Sequence, residues 1–130
     1  MIVVDSAALV DLLVGNEPSA TFVRTQLERA DTLVAPCLVD VEVVGALRRL
    51  EAAGAIGSTT AAPALDGLRD LDLDRYPLPD LVERVWSLRH HLAPGDAFFV
   101  TLAEALDAPL VTTDRRLSRA HGHEAVVVAP

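Results

Sequence analysis

Four carboxylates stand where apolar segments of this chain begin or end. Asp5 directly follows the apolar run Ile2–Val4, and Asp114 directly follows the run Leu-Val-Thr-Thr that ends at residue 113. Asp96 opens an apolar stretch of helical pattern, and Glu42 lies one turn into a long amphipathic pattern. Each has an ordinary structural explanation, because aspartate is a frequent helix N-cap and a glutamate on a helix is usually solvated.

Taken together, the four acids predict metal chemistry. If the runs before Asp5 and Asp114 are parallel strands, their carboxyl ends share the sheet edge where sites form in open α/β folds. Several carboxylates at one edge repel each other unless some are protonated or a cation lies between them. Hard oxygen ligands suit Mg²⁺ or Mn²⁺. Such ions support phosphodiester hydrolysis by activating a bound water, and a second ion ~3.5–4 Å away stabilises the leaving oxygen.

The pattern leaves one ambiguity in this group. Asp40 and Glu42 flank the apolar face of the same predicted helix at similar angles, so periodicity alone does not choose between them.

The elements that must position these acids follow from periodicity and from glycine and proline punctuation. The predicted strands cover residues 2–4, 32–35, 71–76, 110–113 and 125–128. The predicted helices cover residues 7–14, 18–30, 38–53, 58–71, 79–92, 96–106 and 115–120. The helix over 96–106 is apolar nearly all round, which indicates burial. Alternating helices and short apolar strands imply a mainly parallel sheet of about five strands with helices on both faces.

Length and composition limit the class of protein. The chain has 130 residues, half of them hydrophobic, which predicts a single domain over residues 1–130. No apolar run is long enough for a membrane span, the first residues lack the basic start of a signal peptide, and Cys37 is the single cysteine. These features predict a cytoplasmic protein without disulfides. Cys37 is expected to be a small buried residue, and Trp86, Phe98 and Phe99 are expected in the core.

The charge excludes one way of binding nucleic acid. The net charge is −8, and all 11 basic side chains are arginine. This argues against a general nucleic-acid coat, but not against an enzyme that meets nucleic acid through a metal cluster and a few arginines. Five arginines could contact RNA phosphates, namely Arg48, Arg49, Arg115, Arg116 and Arg119. Arg48, Arg115 and Arg116 are the preferred candidates, although any one of the five could equally belong to a solvated helix face.

Four segments of the chain resemble those of PIN-domain ribonucleases, specifically VapC-type toxins of bacterial toxin–antitoxin pairs. The segment MIVVDSAALVDLL resembles the family's first strand, acid and helix. LVDVEVVGALRRL resembles its glutamate helix, GDAFFVTLAEALDAPLVTTDRRL its third and fourth acids, and HGHEAVVVAP its closing strand. The resemblance runs from Met1 to the C-terminus and implies a PIN-like three-layer α/β/α sandwich.

The resemblance also implies which residues act. Asp5, Glu42, Asp96 and Asp114 match the family's acidic quartet, and the flanking pattern selects Glu42 rather than Asp40. Ser6 and Thr113 look like the small hydroxyls beside the quartet. The implied activity is endoribonuclease hydrolysis of tRNA or rRNA that depends on Mg²⁺, with Mn²⁺ as a possible substitute. The implied partners are a cognate VapB-type antitoxin and a second copy of the chain in a homodimer.

The chain departs from the family pattern at two places. Many relatives carry an aromatic residue just before the third acid, where this chain has Gly95. Some carry a further acid shortly after the fourth, where this chain has arginines, which leaves open whether one or two metal ions bind.

Four other classes of protein are alternatives to the ribonuclease. A phosphorylated receiver domain or a haloacid-dehalogenase-like phosphatase needs a lysine that this chain lacks. A structure-specific DNA nuclease of the PIN superfamily would usually be longer. A non-catalytic PIN module that binds RNA or protein is the remaining alternative to the nuclease.

Overall fold

A five-stranded sheet forms the centre of the molecule. The computed structural model describes all 130 residues, and every strand pair in it is parallel. The strands are β1 (Ile2–Val4), β2 (Leu33–Pro36), β3 (Asp74–Tyr76), β4 (Leu110–Val111) and β5 (Val127–Val128). Their order across the sheet is β3-β2-β1-β4-β5. The prediction of a mainly parallel five-stranded sheet is therefore confirmed.

Seven helices cover the sheet. They are α1 (Ser6–Val14), α2 (Ser19–Glu28), α3 (Val39–Ala52), α4 (Ser58–Asp70), α5 (Val82–Ser87), α6 (Pro94–Leu106) and α7 (Arg115–Ser118), with a short 3₁₀ helix at Pro79–Leu81 before α5. Helix α1 contacts α2, α3 and α4, whereas α5 contacts α6, so the helices form two groups. Connections between parallel strands are right-handed. A helix in a connection that runs toward one edge of the sheet therefore covers one face, and a helix in a connection that runs toward the other edge covers the opposite face. The result is the α/β/α sandwich expected from the sequence.

The strand order reverses between β1 and β4. The chain moves from β1 outward to β2 and β3, then returns to pair β4 against the other side of β1. In open α/β sheets a crevice forms at this reversal, outside the carboxyl ends of the two strands. Asp5 and Asp114 come after β1 and β4, so the topology brings them to that crevice.

Helix α6 forms the centre of the hydrophobic core. It contacts β1, β2 and β4, and Phe99, Val100 and Leu102 on it are at most 2% exposed. Burial of apolar side chains of this size stabilises a fold by about 1.5–3 kcal/mol each. The prediction that this apolar helix is buried is confirmed, and its first turn is fixed firmly against the sheet as a consequence.

Several predicted boundaries were wrong. The strand predicted over 110–113 ends at Val111, although the Thr112 amide still donates to the Val128 carbonyl. The helix predicted over 79–92 is interrupted: a 3₁₀ helix precedes α5, and only turns follow Ser87. Helix α6 begins at Pro94, two residues before the predicted start, because proline suits a helix's first turn.

Two predictions of burial were also wrong. Trp86 is 66% exposed and lies 4.5 Å from the Arg89 guanidinium, while Val85 beside it faces the core. Cys37 is exposed because it stands in the turn after β2, where its amide still donates to the Tyr76 carbonyl. Phe99 is buried as predicted, and Phe98 is partly buried against the core.

None of the helices has the length and apolar character that crossing a membrane requires.

Candidate active site

Asp5 is a buried carboxylate at the junction of β1 and α1. It is 4% exposed and is the N-cap of α1, where its Oδ1 accepts a hydrogen bond of 2.8 Å from the Ala8 amide. Its Oδ2 accepts a hydrogen bond from the Thr112 hydroxyl. Burial raises the pKa of Asp5 to about 7; these two hydrogen bonds oppose the rise, and the charges of Asp96 and Asp114 add to it. Asp5 is therefore both the N-cap of α1 and a member of the acidic group.

Thr112 links the ends of β1 and β4. Its hydroxyl donates to Asp5 and accepts a hydrogen bond of 2.9 Å from the Asp114 amide. The register of the two strands explains this contact, since Val4 pairs with Val111 and the next residues are therefore Asp5 and Thr112. The resemblance to PIN-domain ribonucleases implied Thr113 as the small hydroxyl beside the acids. Thr113 lines the groove next to the acids, whereas the hydroxyl that donates to Asp5 is that of Thr112.

Asp114 caps the short helix α7. Its Oδ1 accepts from the Arg116 amide at 2.8 Å, and its Oδ2 is 3.3 Å from an Arg116 guanidinium nitrogen. Partial burial raises the pKa of Asp114, but the hydrogen bonds and charge of Arg116 outweigh burial and hold the pKa below its ordinary value. Asp114 is thus the most readily ionised of the four acids.

The structure separates Glu42 from Asp40. The Glu42 carboxylate accepts a hydrogen bond of 3.1 Å from the Ser6 hydroxyl at the start of α1. Asp40 instead binds Arg75 through two hydrogen bonds of 2.6 and 2.9 Å, away from the other acids. The two residues are about 200° apart around a helix, so only one of them faces α1. Ser6 and Glu42 are brought together as the sequence predicted.

Asp96 lies inside the first turn of α6. The N-cap of that helix is Ala93, so Asp96 is not the cap that its position after Pro94-Gly95 had suggested. Burial raises the pKa of Asp96, and the neighbouring charge of Asp114 raises it further, while Arg116 lowers it. Its position is favourable for an anion because the amino end of a helix carries partial positive charge.

The four acids influence one another electrostatically. Burial raises the pKa of Glu42, and the charge of Asp96 adds to this rise. Asp96 and Asp114 both raise the pKa of Asp5. No three acidic, histidine or cysteine side chains are arranged closely enough to hold one metal ion as they stand. Glu42 and Asp114 use their oxygens in contacts with Ser6 and Arg116.

A groove of about 1100 Å³ runs beside the acids between α1, α3 and the β4–α7 connection. Glu42 and Asp114 line it, together with Ser6 and Thr113. Of the predicted RNA-contact residues, Arg116 lines the groove, whereas Arg48 and Arg115 are exposed elsewhere on the surface.

Arg49, which the sequence offered as a possible RNA contact but not among the preferred ones, also lines this groove. Helical spacing separates it from Arg48, because residues seven apart on a helix differ by about 20° in direction and residues six apart by about 120°. Arg49 therefore shares the face of Glu42, and Arg48 does not.

Gly95 leaves space for the Glu42 carboxylate. A Cβ atom at position 95 would lie 2.9 Å from Glu42 Oε2, closer than atoms of this kind approach one another. Any side chain here requires the flexible end of Glu42 to move. The departure from the family's aromatic residue therefore has a local structural consequence, namely the position of the second acid.

We expect Gly95→Ala to reduce RNA cleavage about 10-fold while leaving the fold intact. The added methyl group displaces Glu42, and alanine within a helix is about 0.5–1 kcal/mol more stable than glycine. Initial cleavage rates and thermal unfolding would measure the two effects. In a Glu42→Ala background the same substitution should change the rate no further. A similar loss of cleavage rate in both backgrounds would show that the substitution does not act through the position of Glu42.

Comparison with known proteins gives the same family as the sequence resemblance. The PIN-domain family model matches residues 2–122. The chain is 46% identical to Ribonuclease VapC1 of Mycobacterium tuberculosis over 121 residues, which are 92% of this chain and 90% of that protein.

Two solved structures share the fold at low sequence identity. Mycobacterium tuberculosis VapC20, a toxin that cleaves the sarcin–ricin loop, aligns with a TM-score of 0.69 at 17% identity, over 91% of this chain and 93% of that one. VapBC2 from Rickettsia felis, bound to a DNA fragment from its promoter, aligns with a TM-score of 0.70 at 15% identity, over 99% and 98%. Because the family match spans nearly the whole chain and the sequence identity is high, this chain belongs to the PIN-domain family, among its VapC-type ribonucleases.

Proposed function

We propose that this chain is a divalent-metal-dependent endoribonuclease whose active site is formed by Asp5, Glu42, Asp96 and Asp114. The observation that supports this best is the state of Asp5. It is a buried carboxylate whose pKa is raised to about 7 by burial and, to a smaller extent, by Asp96 and Asp114. A protein that gathers mutually destabilising carboxylates at one crevice gains by binding a cation there.

The donor set fits Mg²⁺ or Mn²⁺. All four side chains offer hard carboxylate oxygens, and no thiolate or imidazole stands among them. Binding would require Asp114 to exchange its weak contact with Arg116, at 3.3 Å, for the ion. Once bound, such an ion supplies Lewis-acid stabilisation and lowers the pKa of a coordinated water.

Neighbouring residues of the chain would hold the acidic side chains in position. Ala8 and Thr112 fix both oxygens of Asp5, so that its carboxylate cannot rotate away from the crevice. Ser6 orients Glu42, which is half-buried with a raised pKa and is suited to accept a proton from the attacking water. Thr113 lines the groove and offers its hydroxyl to the substrate or to water.

The partners follow from membership of the VapC-type group. We propose RNA with an unstacked, single-stranded cleavage site as the substrate, since such strands expose the backbone for in-line attack. A cognate VapB-type antitoxin would neutralise the enzyme, and a homodimer is its expected assembly. The choice between tRNA and rRNA is left to experiment.

The test is cleavage of total tRNA and rRNA by the purified protein in Mg²⁺, in Mn²⁺ and in EDTA. We expect cleavage only with metal, and a loss on the order of 100-fold or more in Glu42→Gln. Glu51→Gln is a matched control, because Glu51 is an exposed glutamate on the same helix. Cleavage that persists in EDTA, or an equal loss in both variants, would contradict the proposal.

A non-catalytic PIN module is the second candidate. The presence of all four acids at one crevice disfavours it. Absence of cleavage in every condition, together with absence of metal binding by calorimetry, would establish it instead.

A further inference from the structure

Arg49 has an unpaired guanidinium in the groove beside the acids. Four arginines of the chain form ion pairs with carboxylates, namely Arg69, Arg75, Arg84 and Arg116. Arg49 is exposed and forms none, although it lines the same groove as Glu42 and Asp114. Its charge is thus available to a ligand.

The guanidinium extends back along α3 toward the acids. A Cβ atom at Gly45 would lie 3.4 Å from Arg49 Nη1, so the side chain passes over the glycine one turn earlier. Burial raises the pKa of Glu42, and Arg49 is near enough for its charge to lower it in part. Arg116, at the start of α7, lines the same groove. The groove that contains the carboxylates of Glu42 and Asp114 therefore has one arginine from α3 and one from α7.

Nucleic-acid chemistry gives this arrangement a function. With a net charge of −8, the protein as a whole repels RNA, so binding must depend on local cations. A guanidinium presents a planar pair of N–H donors that matches two oxygens of a phosphate. Phosphates next to the scissile one need such partners, because the acids themselves bind no phosphate without an ion.

We propose that Arg49 binds an RNA phosphate adjacent to the scissile one and, with Arg116, fixes the path of the strand over the four acids. This inference rests on the proposed nuclease function and adds a substrate-binding residue to it. It also distinguishes Arg49 from its neighbour Arg48, which has the same charge but points about 100° away from Arg49 around the helix.

The experiment compares Arg49→Ala with Arg48→Ala. Both remove one exposed positive charge from adjacent positions, so long-range electrostatics are matched. Binding of a fluorescently labelled single-stranded RNA is measured by anisotropy in Mg²⁺ over a series of salt concentrations, in the cleavage-deficient Asp96→Asn background. In the wild-type background, KM and kcat for the same RNA are measured, with thermal unfolding as a check on folding.

We expect Arg49→Ala to raise Kd and KM about 10-fold and to reduce the salt slope of log K by about 0.7, the value for one lost phosphate contact on a single strand. Arg48→Ala should stay within about twofold of its parent, and Arg49→Lys should restore the salt slope. Equal effects of the two alanine variants, or no effect of either, would overturn the role of Arg49 alone. If the wild-type protein neither binds nor cleaves RNA, the proposed function fails and this inference fails with it.

Discussion

Asp96→Asn is expected to abolish RNA cleavage, by a factor of about 1000 or more, and at the same time to make the metal-free protein more stable. In the proposed site Asp96 is a charged metal ligand, and its loss would remove the electrostatic stabilisation on which metal-dependent hydrolysis relies. Asparagine has nearly the same shape as aspartate but carries no charge. The substitution therefore removes the burial cost and the repulsion from Asp114 that raise the pKa of Asp96.

The gain in stability is expected because Asp96 has no structural hydrogen bond to lose. Ala93 occupies the N-cap position of α6 and no side chain caps this helix. Apart from burial, the groups that shift the pKa of Asp96 are the charges of Asp114 and Arg116, and no hydrogen bond contributes. A few degrees in the melting temperature at neutral pH in EDTA is the expected size, as for other relieved functional strain.

Asp70→Asn is the matched control, because Asp70 is an exposed aspartate on α4 that lies outside the groove. It should change neither cleavage nor the melting temperature appreciably. If cleavage persisted in Asp96→Asn, while Asp96→Ala lost about 1 kcal/mol as removal of a helix cap does, Asp96 would be a structural residue.

The second large effect concerns pH. Without metal, we expect the free energy of unfolding to fall as pH rises from about 4 to about 7, and Asp5 to cause most of this fall. The pKa of Asp5 rises from an ordinary 3.8 to about 7 in the folded protein. Since the folded pKa is the higher one, the folded state holds its proton longer, and the stability it contributes is lost as pH rises through this window.

The expected size follows from the width of the window. Each pKa unit corresponds to 1.36 kcal/mol, so a rise of about three units implies a loss of about 4 kcal/mol between pH 4 and pH 7. Glu42 and Asp96, whose pKa values are also raised, act in the same direction. Asp114, whose pKa is lowered, acts in the opposite direction, and its contribution is lost as pH falls.

Urea unfolding of the EDTA-treated protein at about pH 5, 6, 7 and 8 would measure this dependence. Asp5→Asn should remove most of the decline, because asparagine can still accept from the Ala8 amide but does not ionise. Mg²⁺ should restore stability chiefly above pH 7, where Asp5 is ionised and the ion binds the folded state alone. Parallel declines in the wild type and in Asp5→Asn would show that burial of Asp5 is not the cause.

The sequence by itself determined the main lines of the fold and the acidic group. The runs before Asp5 and Asp114 indicate strands because they are short, apolar and β-branched, and these local properties persist in the folded state. The helix after Asp96 is apolar on every side, so it can only be buried. The positions of Asp5 and Asp114 relative to the sheet follow from strand direction, which needs no tertiary detail beyond parallel pairing.

The exposure of Trp86 and Cys37 to solvent depends on tertiary contacts, which no local sequence pattern reveals. Trp86 and Cys37 are apolar enough for a core, yet Trp86 lies on the outer side of the short helix α5 and Cys37 stands in a turn. Whether a side chain reaches the core is decided by how its helix is rotated against the sheet. A helix of six residues leaves too little pattern to reveal that rotation.

The partners of the acids were likewise decided by tertiary structure. Thr112 rather than Thr113 binds Asp5 because of the register between β1 and β4, and a one-residue change in register reverses which side chain meets which. Gly95 bears on Glu42 only because α6 and α3 approach at that point. The sequence, with the family resemblance, therefore predicted which residues form the acidic site. The packing of separate elements decided how each is held, because register and helix rotation are properties of pairs of elements and not of any one segment.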